Sequence, residues 1–204
     1  MPADGPRIIG LTGSIAMGKS AVAAMFDDAG IPVFDADAAV RAMQAPGGAL
    51  LNAIERAFPG STGPEGVDRR ALGELVFADA DALARLEAIM HPAVAEKRQA
   101  FLRAHAREPL VLFDIPLLFE KGGNTQVDHV VVVSAPEDIQ RERVLQRPGM
   151  TAEKFSHILS LQMPDAEKRA RADYIIDTGT ALDATRRQVE ALITKLQTLP
   201  RKKR

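Results

Sequence analysis

The chain has 204 residues, of which 46% are hydrophobic and 26% charged, a composition typical of a soluble globular protein. Its 26 Lys and Arg residues balance 27 Asp and Glu residues, so the basic excess of a general nucleic-acid binder is absent. The chain contains no cysteine, which excludes disulfides, thiolate metal sites and thiol catalysis.

No apolar run reaches the roughly 18 residues that a membrane span requires, and residues 1–7 lack the apolar stretch of a signal peptide. We therefore expect a cytoplasmic protein without membrane or nucleic-acid partners. The basic run Arg201-Lys202-Lys203-Arg204 is interpreted as a solvated chain end.

In chain order, the first predicted element is a buried strand at 7–12, followed by a helix at 19–29 and a second strand at 31–35. Residues 36–105 are mostly helical by pattern, with two interruptions rich in Pro and Gly. Because this stretch is too long for a simple crossover between strands, we expect an inserted helical lobe.

The second half of the chain alternates strands and helices, and its strands are continuous Val, Ile and Leu runs. Such runs are typical of strands covered on both faces, as in a parallel sheet. In chain order, the predicted elements are strands at 110–114 and 127–133, helices at 136–146 and 151–162, a strand at 173–177 and a helix from about Thr180.

Strands separated by helices indicate an α/β doubly wound fold with right-handed crossovers. We predict five parallel strands. In such a sheet, ligands bind beyond the carboxyl ends of the strands. The residues that follow each strand are therefore the candidates for function.

The segment from Gly13 to Ser20 matches the pattern GxxxxGK[ST] between a predicted strand and a predicted helix, the context that a P-loop requires. Backbone N–H groups of such a loop cradle phosphates, with the Lys19 ammonium at the β- and γ-phosphates and the Ser20 hydroxyl on Mg²⁺. The chain has no [NT]KxD segment for guanine, which favours ATP. The predicted ATP-binding residues are Gly13, Ser14, Ile15, Ala16, Met17, Gly18, Lys19, Ser20 and Ala21.

Acidic residues follow the second and third predicted strands. Asp37 is interpreted as the carboxylate that accepts the proton of an acceptor hydroxyl, and Asp35 as a helix N-cap. Asp114 ends the third strand and is interpreted as a Walker-B acid that holds Mg²⁺, the alternative being a cap or turn residue.

Arg143 and Arg147 stand four residues apart on a predicted helix just before a Pro-Gly break. This arrangement favours a mobile lid that closes over ATP and neutralises the transferring charge. The alternative is a solvated helix face, which is our interpretation of Arg141 and Glu142.

The ordered set of motifs resembles the dephospho-coenzyme A kinase family from Ile9 to about Leu192. The combination of Asp-Ala-Asp, His-Pro and Pro-Leu-Leu-Phe-Glu is more specific than the P-loop. The resembling segments are Gly10–Gly13, Asp35–Asp37 with Arg41, Arg70–Gly73 with Val76-Phe77, His91-Pro92, Asp114–Glu120, Gln140 with Arg143 and Arg147, and Lys168-Arg169 before Ala172–Tyr174.

The resemblance implies that ATP, with Mg²⁺ as cofactor, phosphorylates the ribose 3′-hydroxyl of dephospho-CoA. It implies one P-loop kinase domain with a core at about 7–35, 108–135 and 172–200, an acceptor lobe at about 36–107 and a lid at about 138–170. We expect a monomer or weak homo-oligomer. By position, the implied roles are catalysis by Asp37, Lys19 and Arg143, ATP binding also by Arg147 and Thr178, acceptor binding by Asp37, Arg41, His91, Pro92, Leu117 and Leu118, and metal binding by Ser20 and Asp114.

Without the resemblance, His91 is equally well a histidine at a helix end before a proline. The sequence departs from the family at several points. Ser14, Ala16 and Met17 replace Gly, Gly and Ser of the usual loop, and Thr178 replaces an Asn near the adenine. At the position of Asp114, the family often has Glu or a neutral residue. A different small-molecule P-loop kinase and a non-catalytic nucleotide-binding protein are the alternatives.

Overall fold

The five predicted strands form one sheet. The computed structural model of the protein describes residues 5–77 and 79–199, so the basic run at 201–204 lies outside the described residues. The strands are β1 (Arg7–Thr12), β2 (Val33–Asp35), β3 (Thr62–Gly63), β4 (Gly66–Val67), β5 (Leu110–Asp114), β6 (His129–Ser134) and β7 (Tyr174–Asp177).

The sheet has the strand order β2-β5-β1-β6-β7, and β1 at its centre pairs in parallel with both β5 and β6. Gly10 of β1 lies opposite Phe113 on one side and Val130 on the other. The predicted α/β fold with a five-stranded parallel sheet is confirmed. The two-stranded antiparallel pair β3–β4 is separate, in a stretch that we expected to be mostly helical.

Helices account for most of the remaining chain between the strands. They are α1 (Lys19–Asp28), α2 (Ala36–Gln44), α3 (Leu51–Ala57), α4 (Arg69–Val76), α5 (Ala80–Ala104), α6 (Glu137–Leu145), α7 (Ala152–Ser160), α8 (Asp165–Arg171) and α9 (Leu182–Thr198). None of the helices within the described ranges has the length and hydropathy of a membrane span.

Three helix assignments differ from the prediction. The last helix begins at Leu182 rather than near Thr180, and no side chain caps its first turn. Helix α8 was not predicted as a separate helix, because the break before Asp165 leaves only seven residues to show a pattern. The helix-end interpretation of His91 was wrong, since α5 continues through Pro92 for a further twelve residues to Ala104.

The chain divides into two compact units. One comprises Met1–Phe34 and His105–Arg204, as far as these ranges are described, and the other comprises Asp35–Ala104. The second unit has its own apolar core, in which Ile54 is fully buried beside Met43, Phe58 and Leu72.

The first unit buries both faces of its sheet. On one face, Leu11 and Val133 pack with Phe26 of α1 and Leu192 of α9. A second cluster contains Val130 and Val132, whose side chains alternate in direction with those of Val131 and Val133. Leu118, Phe119 and Met163 pack in that cluster. Because apolar side chains cover both faces, the polar groups of the unit concentrate where the strands end.

Candidate active site

The loop between β1 and α1 has backbone geometry suited to an anion. The dihedral angle φ is 61° at Ala16 and 82° at Gly18, so alternate residues adopt left-handed conformations. Such alternation turns successive N–H groups towards one concave side, where they can bind an anion. Helix α1 begins at the next residue, and its N-terminus adds positive potential there.

At Gly13, where the loop begins, there is no room for a side chain. A methyl group added to Gly13 would overlap Val133 Cγ2 and lie 2.8 Å from the Val133 carbonyl oxygen. The first glycine of the motif therefore lets β1 and β6 approach each other closely where the loop departs.

The three side chains that depart from the family loop are all buried. Ser14 lines a cavity of about 630 Å³ formed with residues of α6, α7 and α8. Ala16 packs against Val144 and Phe155, and the Met17 sulfur accepts the N–H of Ala135 at 3.1 Å. Ala16 and Met17 are thus accommodated by packing against the protein, whereas Ser14 faces the cavity.

Ala16, which replaces a glycine of the family loop, adopts a left-handed backbone conformation. The sequence left two possibilities, namely allowed angles or backbone strain, and Ala16 is the one non-glycine residue with positive φ among residues 5–77 and 79–199. For an L-residue this conformation costs about 1–2 kcal/mol relative to the right-handed helical region. The loop therefore keeps the glycine-like shape at an energetic cost.

Lys19 and Asp114 form an ion pair at the carboxyl end of the sheet. Lys19 Nζ contacts Asp114 Oδ1, and the side chains retain only 17% and 7% of their exposure. Ser20, in the first turn of α1, is exposed. The structure therefore brings Lys19 together with the acid predicted to serve the metal.

The residues present fit a magnesium ion that is bound mainly by phosphates and water. Within the described ranges, no group of three or more His, Asp or Glu residues could hold a metal by itself. Mg²⁺ in kinases needs only one or two protein oxygens besides nucleotide phosphates and water. The Ser20 hydroxyl and the Asp114 carboxylate would supply that donor set.

The segment after β5 is tied back to β1. Thr12 Oγ1 donates to the Pro116 carbonyl at 3.0 Å, and the N–H of Ile115 donates to the Leu11 carbonyl at 3.0 Å. Leu117 is half-buried, whereas the Leu118 side chain is fully buried in the core beneath the sheet. Leu118 therefore has a packing role in this structure, and of the two leucines predicted to contact the acceptor only Leu117 is partly exposed.

Glu120 and Lys168 form a buried pair. Lys168 Nζ lies 2.8 Å from Glu120 Oε1, and the lysine has no exposed surface. Burial raises the pKa of Glu120, but the hydrogen bonds from Lys168 and from the backbone N–H groups of Glu120 and Met163 outweigh it, so the pKa lies below its ordinary value. The carboxylate is ionised and holds α8 to the segment after β5.

Arg143 contacts the loop that follows β7. Its Nη2 donates to the Thr178 carbonyl at 2.7 Å, and its Nη1 to Thr178 Oγ1 at 3.4 Å. The Thr178 hydroxyl in turn donates to the Met17 carbonyl at 2.8 Å. Thr178 is thus a buried junction between the phosphate loop and α6.

Arg147 is placed differently from the prediction. Helix α6 ends at Leu145, and the N–H of Arg147 donates to the Val144 carbonyl in a turn at 3.1 Å. Arg147 is therefore not on one helical face with Arg143, although its side chain is exposed near the same helix end.

In the second unit, α2 begins directly where β2 ends. Asp35 caps this helix by accepting the N–H of Ala38 at 2.8 Å, which confirms its interpretation as an N-cap. Arg41 Nη2 lies 3.4 Å from Asp35 Oδ2. Asp37 stands in the first helical turn with its side chain exposed, so it is accessible to a reactant.

His91 and Pro92 lie on the exposed side of α5. Pro92 has no N–H to donate to the carbonyl four residues earlier, so the helix lacks one hydrogen bond there. Both residues are accessible on the surface of α5.

Two further residues contact the phosphate loop: the sequence identified Gln140 only as part of the family resemblance, without a role, and did not single out Gln162. Gln140 of α6 and Gln162 after α7 hydrogen-bond to the backbone of Ile15. Gln140 is 4% exposed. A glutamine on the apolar face of a predicted helix is the signal that could have identified it.

Comparison with known proteins gives the same result as the motifs. The family model of dephospho-CoA kinases matches residues 7–183, which is most of the chain. The chain belongs to the dephospho-CoA kinase family. A dephospho-CoA kinase of Novosphingobium aromaticivorans is 66% identical over 192 residues, covering 94% of this chain and 96% of the relative.

Two solved structures are similar to this chain along nearly its whole length. The crystal structure of TT1252 from Thermus thermophilus is 38% identical, with a TM-score of 0.81, and the match covers 94% of this chain and 98% of that one. A dephospho-CoA kinase from Campylobacter jejuni has a TM-score of 0.66 at 23% identity, covering 94% and 97%. At that identity the second match supports the fold alone.

Proposed function

We propose that this protein transfers the γ-phosphoryl group of ATP to the ribose 3′-hydroxyl of dephospho-CoA, producing coenzyme A and ADP. The observation that carries the proposal is the family match over residues 7–183, within which the phosphate loop, Lys19 and Asp37 are all present. The chain is accordingly a kinase of this family, and the roles of its individual residues are part of our proposal.

In the proposed reaction, the acceptor oxygen attacks the γ-phosphorus, and the bond from that phosphorus to the β–γ bridging oxygen breaks. Asp37 accepts the proton of the hydroxyl. Lys19 and Arg143 stabilise the negative charge on the transferring group and on the leaving ADP. Arg147, exposed beyond the end of α6, binds the phosphates of ATP.

Mg²⁺ fits this chemistry as the cofactor. The Ser20 hydroxyl and the Asp114 carboxylate would hold it, and when bound it neutralises charge on the β- and γ-phosphates. The ion pair between Asp114 and Lys19 keeps both side chains oriented near the phosphate loop.

Acceptor binding is assigned to the second unit. Asp37, Arg41, His91 and Pro92 are all exposed there. A guanidinium and an imidazole suit the phosphate groups of dephospho-CoA. Leu117 of the first unit remains a candidate for an apolar contact.

The test is a coupled assay of ADP release with Mg²⁺ and ATP, in which dephospho-CoA is compared with adenosine, AMP and shikimate. We expect ADP release with dephospho-CoA alone and coenzyme A as the product. Release with another acceptor would assign a different small-molecule kinase, and ATP binding without turnover would assign a non-catalytic protein.

Asp37→Asn tests the base. We expect turnover to fall by about 10²–10⁴-fold, because the amide cannot accept the proton. Asp81→Asn is the matched control, since Asp81 is also an exposed acid in the first turn of a helix. Equal activity in the two variants would remove Asp37 from the mechanism.

A further inference from the structure

The backbone of the phosphate loop is held from outside by side chains of the segment that follows β6. Gln140 Nε2 donates to the Ile15 carbonyl at 2.7 Å, and the Ile15 N–H donates to Gln162 Oε1 at 3.0 Å. Both polar backbone groups of one loop residue are therefore bonded to glutamine side chains. Thr178 bonds the Met17 carbonyl in the same way, two residues later.

The orientation of both amides follows from the partners. A backbone carbonyl can only accept, so Gln140 must present its NH₂ group to Ile15. A backbone N–H can only donate, so Gln162 must present its oxygen. The two glutamines consequently have opposite chemical requirements, although they bind the same residue.

These bonds flank the strained position of the loop. Ala16 stands between Ile15 and Met17, and its φ of 61° is a conformation that persists only where the surroundings enforce it. Its methyl group packs against Val144 and Phe155, which belong to α6 and α7. The segment that follows β6 thus contributes both the hydrogen bonds to Ile15 and the apolar contacts of Ala16.

We propose that Gln140 and Gln162 are positioning residues for ATP, and that they hold the phosphate loop in its binding shape around the left-handed Ala16. The inference rests on the proposed ATP site. The glutamines touch the loop backbone from outside and act on the nucleotide through the direction of the loop N–H groups.

The decisive measurement is binding of the non-hydrolysable analogue β,γ-imido-ATP with Mg²⁺, by calorimetry. In Gln140→Met or Gln162→Met, a backbone group of Ile15 loses its partner, and we expect Kd to rise roughly five- to twenty-fold. Gln146→Met is the matched control, because Gln146 is exposed beyond the end of α6 and its amide contacts only Glu142 among the described bonds.

Replacement by glutamate separates positioning from simple packing. Gln162→Glu keeps an acceptor for the Ile15 N–H, so we expect Kd within about threefold of wild type. Gln140→Glu loses the donor and turns a negative charge towards the Ile15 carbonyl, so we expect it to bind at least as weakly as Gln140→Met. A packing role would make the two glutamate variants behave alike.

Coupling to Ala16→Gly tests the link to the strained residue. Glycine adopts positive φ without steric cost, so we expect Gln140→Met to weaken binding less in the Ala16→Gly background than in wild type. Equal losses in both backgrounds, or methionine variants that melt normally and bind the analogue like wild type, would overturn the proposal.

These outcomes are distinct from failure of the proposed function. If dephospho-CoA is not phosphorylated but the methionine variants lose analogue binding, the positioning role stands and the acceptor assignment falls. If dephospho-CoA is phosphorylated and the variants bind the analogue like wild type, the acceptor assignment stands and the positioning role falls. In active enzyme, we also expect KM for ATP to rise in the methionine variants while KM for the acceptor stays within twofold.

Discussion

Replacing Lys168 by Met removes the cation from a buried ion pair without removing much volume. Lys168 has no exposed surface, and Glu120, its partner at 2.8 Å, retains 16% side-chain exposure. The variant leaves the Glu120 carboxylate mostly buried and without a cation. Among the described contacts, the Met163 N–H is then the one hydrogen-bond donor that another residue provides to it.

Breaking a buried pair by removing one partner costs roughly 3–5 kcal/mol. We expect a value near the lower limit, about 3 kcal/mol, because Glu120 keeps its bond from Met163 and its side chain is 16% exposed. For a chain of this size, about 1 kcal/mol shifts the melting temperature by about 2–4 °C. Lys168→Met should therefore lower Tm by about 6–12 °C.

Arg171→Met on the same helix is the matched control. Arg171 pairs with Glu167 four residues earlier, and about half of each side chain is exposed. Such a pair contributes about 0.3–0.5 kcal/mol, so Tm should fall by no more than about 2 °C. Thermal melts followed by circular dichroism at neutral pH, without nucleotide, measure both variants.

The pH dependence gives an independent check. The folded-state pKa of Glu120 is lowered, so the stability from this carboxylate is present above its ordinary pKa and is lost as pH falls through the lowered value. The difference in Tm between wild type and Lys168→Met should shrink over that acidic range. A variant within about 2 °C of wild type at neutral pH would refute the reasoning.

Three further predictions concern the phosphate loop and the proposed ATP contacts. Gly13→Ala should lower stability by about 1–3 kcal/mol in a urea titration, since its methyl group overlaps Val133, whereas Gly73→Ala has open space and should not. Lys19→Met should reduce turnover by about 10²–10⁴-fold at saturating ATP, and retained turnover would contradict its assignment. Arg147→Ala should raise KM for ATP about tenfold with little change in kcat, and an unchanged response to ATP would make the residue structural.

Local pattern was sufficient for the sheet and the phosphate loop. The runs that became β1, β5 and β6 are apolar along most of their length, and burial on both faces of a parallel sheet requires that composition. The loop motif specifies a strand before it and a helix after it, so its place in the fold followed from the sequence. The cap formed by Asp35 is equally local, because the carboxylate bonds an N–H only three residues away.

Local pattern was insufficient where a distant segment decides a residue's environment. Leu118 follows a strand end, as a ligand contact would, yet it is buried beneath Gly10 and Val127. The proline in α5 predicted a helix end, but packing of the second unit's core against residues on both sides, such as Leu86 and Val94, favours a continuous helix.

The sequence by itself determined the family, the order of strands and helices along the chain, and the chemical groups available at the strand ends. Only the tertiary structure decided how Ala16 adopts its left-handed angle and which groups surround it. The partners of Ile15 stand 125 and 147 residues away along the chain. Hydrogen bonds over such separations depend on the crossover connections, and no periodicity in the sequence reports them.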